Sequence, residues 1–303
     1  MAMPEPEKAP PSNPSDLLNQ IRQTFQDVTW SSFQYLDVGW DHEVIILDDR
    51  LVFRFPNDPD YAESLKTEIA VLRQLQPMVS SVAIPDYTYV APDCLFAGYQ
   101  LIPGQPLTSS LFSSLVPADR DRVASKLAAF LSAMHSAMSG GHDFAEVEAS
   151  SMLEMQAKVH ESSEQNLKDV LSQDDYQKVL AILGATDAVL SRQPPPVLLH
   201  GDIYSAHLLW DERQQQLGII DFSDMNRGDP AFDFAELYEY GEDFVHQTYD
   251  YYSGPKDESF LNRAKVYQKW VGLFMMYDHF VYNKTSFEKA RETFDRTKDL
   301  EVD

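Results

Sequence analysis

The sequence predicts an α+β chain in two parts: a small N-terminal lobe made of a β-sheet with one main helix, and a larger, mostly helical C-terminal lobe. Three observations lead there. Up to Ile102, short strand-like runs alternate with turn residues around a single long helical stretch. Pro103, Gly104 and Pro106 then break the chain where a hinge would sit. Beyond the break, apolar residues recur mainly at helical spacing, interrupted by one apolar hairpin that carries two His and two Asp.

Residues 15–25 read as a short amphipathic helix, with Leu17, Leu18, Ile21 and Phe25 on one side. Residues 33–38, 43–47 and 51–55 read as strands, separated by Gly39-Trp40-Asp41 and Asp48-Asp49-Arg50. A helix is expected over 61–75, then strands over 85–90 and 95–102. In the second part, 117–138 opens on Pro-Ala-Asp and sets Val123, Leu127, Phe130, Leu131 and Met134 at helical spacing. Residues 150–172, 174–192, 232–240 and 261–282 read as further helices, and Pro194-Pro195-Pro196 stops the second of these.

With a hydrophobic fraction of 44%, including 17 Phe and 15 Tyr, the 303-residue chain can fill a core. Its single cysteine, Cys94, excludes an intramolecular disulfide and fits a reducing cytoplasm. No apolar run approaches the ~18 residues of a membrane span, and a monomer is expected. The Pro-rich residues 1–14 lack the apolar stretch of a signal peptide and read as a disordered tail. The net charge of −24 repels a nucleic acid backbone and would attract a cationic substrate. General solubility is an equal reading of the same charge.

The chemistry concentrates in the hairpin. His200-Gly201-Asp202 is followed by His207, and then by Ile219-Ile220-Asp221-Phe222. One loop thus carries a carboxylate, and the next loop of the hairpin carries another. Phosphoryl transfer needs this layout: one carboxylate orients the attacking hydroxyl, and the other holds a divalent metal on the nucleotide phosphates. Asp202, ionised at neutral pH, can accept a hydrogen bond from a substrate hydroxyl; its structural reading is a turn or cap residue. Asp221, at the end of an apolar run, suits Mg²⁺, which takes a carboxylate plus phosphate oxygens and water; its structural reading is a surface turn. His207 offers nitrogen, which suits Mn²⁺, Zn²⁺ or Fe better than Mg²⁺, or else only hydrogen-bonds its loop. A ligating imidazole must be neutral, so activity would fall as pH drops through about 6.5. A zinc hydrolase is disfavoured, because the chain has no HExxH and no paired cysteines.

HGDIYSAHLLWD (200–211) and GIIDFSDMNRGDPAFDF (218–234), with LVFRFP (51–56) and LFAGYQLIPGQPLT (95–108), occur in the order of the aminoglycoside phosphotransferase family. The chain most resembles its 2''-phosphotransferase branch, over residues 30–300. HGD stands where the protein-kinase-like fold has HRD, and DFS where it has DFG. The resemblance implies that bilobal fold, with a nucleotide-binding lobe over 15–102 and a helical lobe over 103–303 holding the catalytic and metal loops and the substrate pocket. It also implies transfer of the γ-phosphate of ATP or GTP, with Mg²⁺ or Mn²⁺, to a hydroxyl of a small cationic molecule, an aminoglycoside antibiotic first.

The resemblance also implies roles. Asp202 is catalytic, and Asp221 and His207 hold the metal. Arg54 stands where kinases place a strand lysine on the phosphates, keeping the charge with a different geometry. Glu68 is its ion-pair partner, with Glu63 second. Tyr99, Gln100, Leu101 and Ile102 form the hinge that reads the purine, the bulk of Tyr99 leaning towards guanine. Residues 39–43 cover the phosphates, although with one glycine. His200 packs under the loop, and Asp233 caps or pairs within its lobe. Asp224, Glu236 and Glu239 face the substrate; with Glu242 and Asp243 the two glutamates equally suit a solvated face. By helical spacing rather than resemblance, Met134 and His135 fall on an apolar face and read as core, and Trp270 and Phe274 either line the substrate cleft or, the preferred reading, pack. Two rivals stay open: a kinase for another small alcohol (macrolide, choline-like, amino-sugar or homoserine-like), and a catalytically silent nucleotide-binding module.

Overall fold

The computed structural model describes residues 12–36, 42–142 and 144–302. Residues 1–11 of the expected tail, and Gly39, Trp40 and Asp41 of the expected phosphate-covering loop, lie outside the described residues. In chain order the elements are α1 (Pro14–Thr24), β1 (Phe33–Leu36), β2 (His42–Leu47), β3 (Leu51–Pro56), α2 (Pro59–Leu75), β4 (Tyr89–Val90), β5 (Ala97–Gln100), β6 (Gln105–Pro106), α3 (Ser109–Ser114), α4 (Pro117–Ser136), α5 (Met152–Ser162) and α6 (Gln173–Leu190). They continue with β7 (Val197–Leu199), β8 (Leu208–Asp211), β9 (Gln216–Ile219), β10 (Asn226–Gly228), α7 (Glu242–Tyr251), α8 (Phe260–Tyr282) and α9 (Phe287–Thr297). Among the described residues, no helix is long and apolar enough to cross a membrane.

One compact unit comprises the described residues up to Leu107 together with Ala206–Ser223. Its main sheet is antiparallel, in the order β1-β2-β3-β5-β4. Strand periodicity splits the sheet's side chains between two faces. Ile45, Leu47, Leu51, Phe53 and Phe55 bury against Leu17 and Ile21 of α1, with Phe96. Asn13 starts α1 by accepting from the Ser15 N–H at 3.0 Å, and Pro14 occupies the first turn, where a missing N–H costs nothing. The alternate positions of β3 carry Val52 and Arg54 on the other face, with Val44 of β2 opposite Arg54.

The hairpin β8–β9 belongs to this unit, whereas chain order groups it with residues 103–303. The reason is hydrogen bonding. β6, just past the Pro103-Gly104 break, pairs with β8 at Gln105–Trp210. Ala83 brackets β9 by donating to the Leu217 carbonyl and accepting from the Ile219 N–H, both at 2.9 Å. The strand expected over 85–90 is accordingly reduced to Tyr89–Val90.

The other unit comprises the described residues of 108–205 and 224–302 and is mainly helical. Val123, Leu127, Phe130, Leu131 and Met134 of α4 are fully buried, as their spacing predicts. β7 and β10 form a short antiparallel ladder, Leu199 opposite Asn226. Two expected helices differ. Residues 150–172 give α5 and then a wider π-type turn over Ser163–Leu167. Residues 232–240 are two 3₁₀ turns, Phe232–Phe234 and Glu236–Tyr240. Helices α3, α7 and α9 were not foreseen; Thr108 and Ser286 cap the first and last of them.

Candidate active site

In the first unit a polar cluster forms around Arg54, which is only 6% exposed. Its Nη1 donates to both oxygens of Glu68 on α2, at 2.8 and 2.9 Å, and to the Tyr87 hydroxyl at 2.9 Å. Its Nη2 donates to Asp221 Oδ1 at 3.0 Å and Ser223 Oγ at 2.8 Å, and contacts His42 Nδ1 at 3.2 Å. Burial alone would lower the guanidinium's proton affinity; Glu68, Tyr87 and Asp221 outweigh it and hold Arg54 well above its ordinary value, hence charged. Glu63, the second choice of partner, is exposed and pairs with Lys66. Burial, with Arg54 alongside, drives the His42 imidazole down to about 3. It is therefore neutral, and it must accept through Nδ1, because arginine only donates.

Asp221 sits just past β9 with φ of +62°, an uncommon conformation for a residue with a Cβ that recurs at functional sites. Ser223 donates to Asp221 Oδ1 at 2.8 Å, and His207 Nε2 lies 3.4 Å from Asp221 Oδ2. The His207 carbonyl accepts from the Ile220 N–H at 3.0 Å, which ties the two loops together. One carboxylate and one imidazole leave most coordination positions to phosphate oxygens and water, a donor set that fits Mg²⁺ or Mn²⁺. A catalytic zinc site needs three protein ligands, and the described residues hold no such group of His, Cys, Asp or Glu.

The hinge segment is only partly available. The Leu101 N–H is committed to the Arg50 carbonyl at 2.8 Å, so it cannot read a base. Alternate residues of an antiparallel strand direct their backbone groups to opposite edges, which leaves Gln100, the last residue of β5, to face away from β3. Tyr99 is buried and meets Tyr87 edge-on, centroids 5.1 Å apart. Glu43 turns to the α1 face of the sheet, accepting from Tyr35 at 2.5 Å and from the Ser12 N–H and hydroxyl at 2.8 and 2.6 Å.

In the second unit the loop after β7 is held from below. Buried Asp233 accepts from the backbone N–H groups of His200 and Gly201, each at 2.9 Å, and from His135 Nε2 at 3.0 Å. His135 Nδ1 in turn meets the Tyr252 hydroxyl at 2.7 Å. Burial pushes the Asp233 carboxyl up, but these donors outweigh it and hold it below its ordinary value. His200 Nδ1 accepts from the Asp202 N–H at 3.3 Å, closing the turn. Gly201 has φ of +86°, and a Cβ there would stand 2.2 Å from the Asp224 carbonyl oxygen. Asp202 itself is half-buried.

Asp229 is architectural, clasped by Arg263 at 2.6 and 3.1 Å and by Tyr267 at 2.9 Å. Asp224 is exposed and Glu236 half-buried. Burial raises the Glu239 carboxyl against the opposing hydrogen bonds from Ser205, and its Oε1 is buried without a hydrogen-bond partner among the described residues. His42, Tyr87, Ser223 and the His135–Tyr252 pair escaped sequence reasoning. His42 and Ser223 lie inside motifs that were singled out, but nothing in spacing marks Tyr87 or Tyr252.

Known structures share this architecture. The GDP complex of wild-type aminoglycoside 2'-phosphotransferase-IIIa superposes with a TM-score of 0.81, at 24% identity, covering 95% of this chain and 99% of that one. The gentamicin complex of APH(2")-IIa gives 0.70 at 20% identity, with 95% and 97% covered. A macrolide 2'-phosphotransferase from Brachybacterium faecium, without ligand, gives 0.67 at 19% identity, with 95% and 99% covered. The sequence itself matches the phosphotransferase enzyme family (APH) across residues 32–261. With the kinase-like fold and this match over most of its length, the chain belongs to the phosphotransferase enzyme family.

Proposed function

We propose that the chain moves the γ-phosphate of a nucleoside triphosphate to a hydroxyl of a small cationic molecule, an aminoglycoside, as in the 2''-phosphotransferase branch. The observation that carries this reading is the Arg54 cluster: one buried guanidinium bonded at once to Glu68 and to Asp221. A fixed cation beside a metal-type carboxylate is what holding a polyphosphate demands. Arg54 binds the phosphates and Glu68 fixes it. Asp221 and His207 would hold a divalent ion, which would neutralise charge on the phosphates. Asp202 accepts the hydrogen bond of the acceptor hydroxyl and orients it for in-line attack.

Gln100 and Ile102 offer backbone groups to the purine, and Tyr99 backs it. GTP is the proposed donor, with ATP the alternative. The bulk of buried Tyr99 supports GTP, as do two GDP complexes of the similar IIIa enzyme, while other similar structures hold ADP or ATP. Asp224, Glu236 and Glu239 face the acceptor. The unpartnered Glu239 oxygen and the net charge of −24 favour an amine-bearing one. A macrolide is the second reading, favoured by the likeness to two macrolide 2'-phosphotransferases, with TM-scores of 0.67 and 0.66.

A coupled assay of nucleoside diphosphate release tests this, with GTP and ATP run separately in Mg²⁺ against kanamycin-type, gentamicin-type and macrolide acceptors. The expected result is turnover stimulated by an aminoglycoside. Stimulation by macrolides alone selects the second reading, and nucleotide binding with no stimulation by either class retires both.

A further inference from the structure

Resting on the reading of Arg54 as the phosphate-binding cation, we infer that His42 is a positioning residue that holds the Arg54 guanidinium in plane for the nucleotide. The chain then uses an arginine–histidine pair for the task of a lone lysine. His42 opens β2, two residues before Val44, which stands opposite Arg54. Residues two apart on a strand share a face, so the imidazole and the guanidinium lie side by side, with Nδ1 3.2 Å from Nη2.

Nη2 has two hydrogens and three acceptors within reach: His42 Nδ1, Asp221 Oδ1 and Ser223 Oγ. When His42 takes one hydrogen, the other is directed to the Asp221–Ser223 side. Glu68 and Tyr87 fix the Nη1 end. Two anchored ends set the plane of the fork. A lysine ammonium, a point charge with rotatable donors, needs no such plane; an arginine does.

The other ring nitrogen supports the assignment. His42 Nε2 is buried with no hydrogen-bond partner among the described residues, and the residue is only 4% exposed. An apolar side chain of similar size would avoid that unpaired donor. What the imidazole supplies in return is the Nδ1 acceptor.

The test uses the full chain and measures nucleotide Kd and KM, together with acceptor KM, for His42→Leu, His42→Asn, Arg54→Lys and the Arg54→Lys/His42→Leu double variant, each checked for folding by circular dichroism. His42→Leu should raise nucleotide KM and Kd about tenfold, the worth of one charge-assisted hydrogen bond, with acceptor KM unchanged. His42→Asn, whose amide oxygen can stand where Nδ1 stands, should remain within about threefold of wild type. In the Arg54→Lys background, His42→Leu should add less than about twofold, because the partner it serves is gone. Unchanged nucleotide affinity in His42→Leu, equal losses in both backgrounds, or an Asn variant weakened about tenfold would each overturn the inference. If His42→Leu does not fold, the Asn variant decides alone. A wild-type chain that binds no nucleotide overturns the phosphotransfer reading and this inference with it. Wild-type turnover with an indifferent His42→Leu overturns only the inference.

Discussion

Arg54 and Asp233 are both buried charges at the centre of a polar cluster, one in each compact unit, and they are used in opposite ways. Arg54 is a side chain held by side chains: Glu68, Tyr87, His42, Ser223 and Asp221 fix a cation that on the proposed reading binds the phosphates. Asp233 is a side chain that holds backbone. Its oxygens take the N–H groups of His200 and Gly201, and its charge is spent on shaping a loop. Asp202, the carboxylate proposed to orient the acceptor, follows directly, its N–H donating to His200 Nδ1 at 3.3 Å. The first unit therefore presents a charge, and the second presents a geometry. Damage to the first should appear in nucleotide affinity, and damage to the second in turnover or stability.

The largest effect expected is on Asp202→Asn. Acceptor-stimulated turnover should drop on the order of 10²–10⁴-fold, the range for a lost general base, with nucleotide affinity unchanged by titration. A parallel loss of nucleotide binding would erase the contrast between the units. Asp233→Asn should cost about 1.5–3 kcal/mol of stability, the range for hydrogen bonds to a charged group, and urea denaturation at pH 7 measures this. Since the Asp233 carboxyl is held below its ordinary value, its contribution is present above that value and is lost as pH falls through the folded-state value. The gap between wild type and variant should shrink on acidification; a constant gap would deny that Asp233 works as a carboxylate.

Gly201→Ala sharpens the comparison, since it moves the loop without touching a charge. With φ of +86° and a Cβ 2.2 Å from the Asp224 carbonyl oxygen, it should lower kcat on the order of 10²-fold, as misplaced catalytic groups do. Steady-state kinetics with unchanged nucleotide KM would bear this out. The smallest effect is on Glu239→Gln, expected to raise the KM of an amine-bearing acceptor about tenfold, as the loss of one charged hydrogen bond would. An equal change with a neutral acceptor would remove Glu239 from amine recognition.

What sequence could reveal divides along the same line. β1, β2, β3, β5, α2, α4 and α8 were legible because alternation and helical spacing follow from burial of one face. The Arg54–Glu68 pair was legible because strand and helix motifs fix both residue type and local element, and the same motifs set Asp202 and Asp221 on the loops after β7 and β9. Unit membership of the β8–β9 hairpin was not, since it depends on Ala83 and Gln105, far away in sequence. The commitment of the Leu101 N–H to Arg50 was hidden for a like reason: it is a matter of register, and register leaves no mark on residue type. Tyr87 and Tyr252 are partners met only through folding, and no spacing points to them.

The central claim, that one unit holds the nucleotide while the other directs the acceptor, is tested most directly by one paired measurement. Mg²⁺–nucleotide affinity and acceptor-stimulated diphosphate release are measured side by side for wild type, Arg54→Lys and Asp202→Asn. That division of labour predicts weakened nucleotide binding in Arg54→Lys, and wild-type binding with abolished stimulated turnover in Asp202→Asn. Retained stimulation in Asp202→Asn, or undiminished nucleotide affinity in Arg54→Lys, would contradict it.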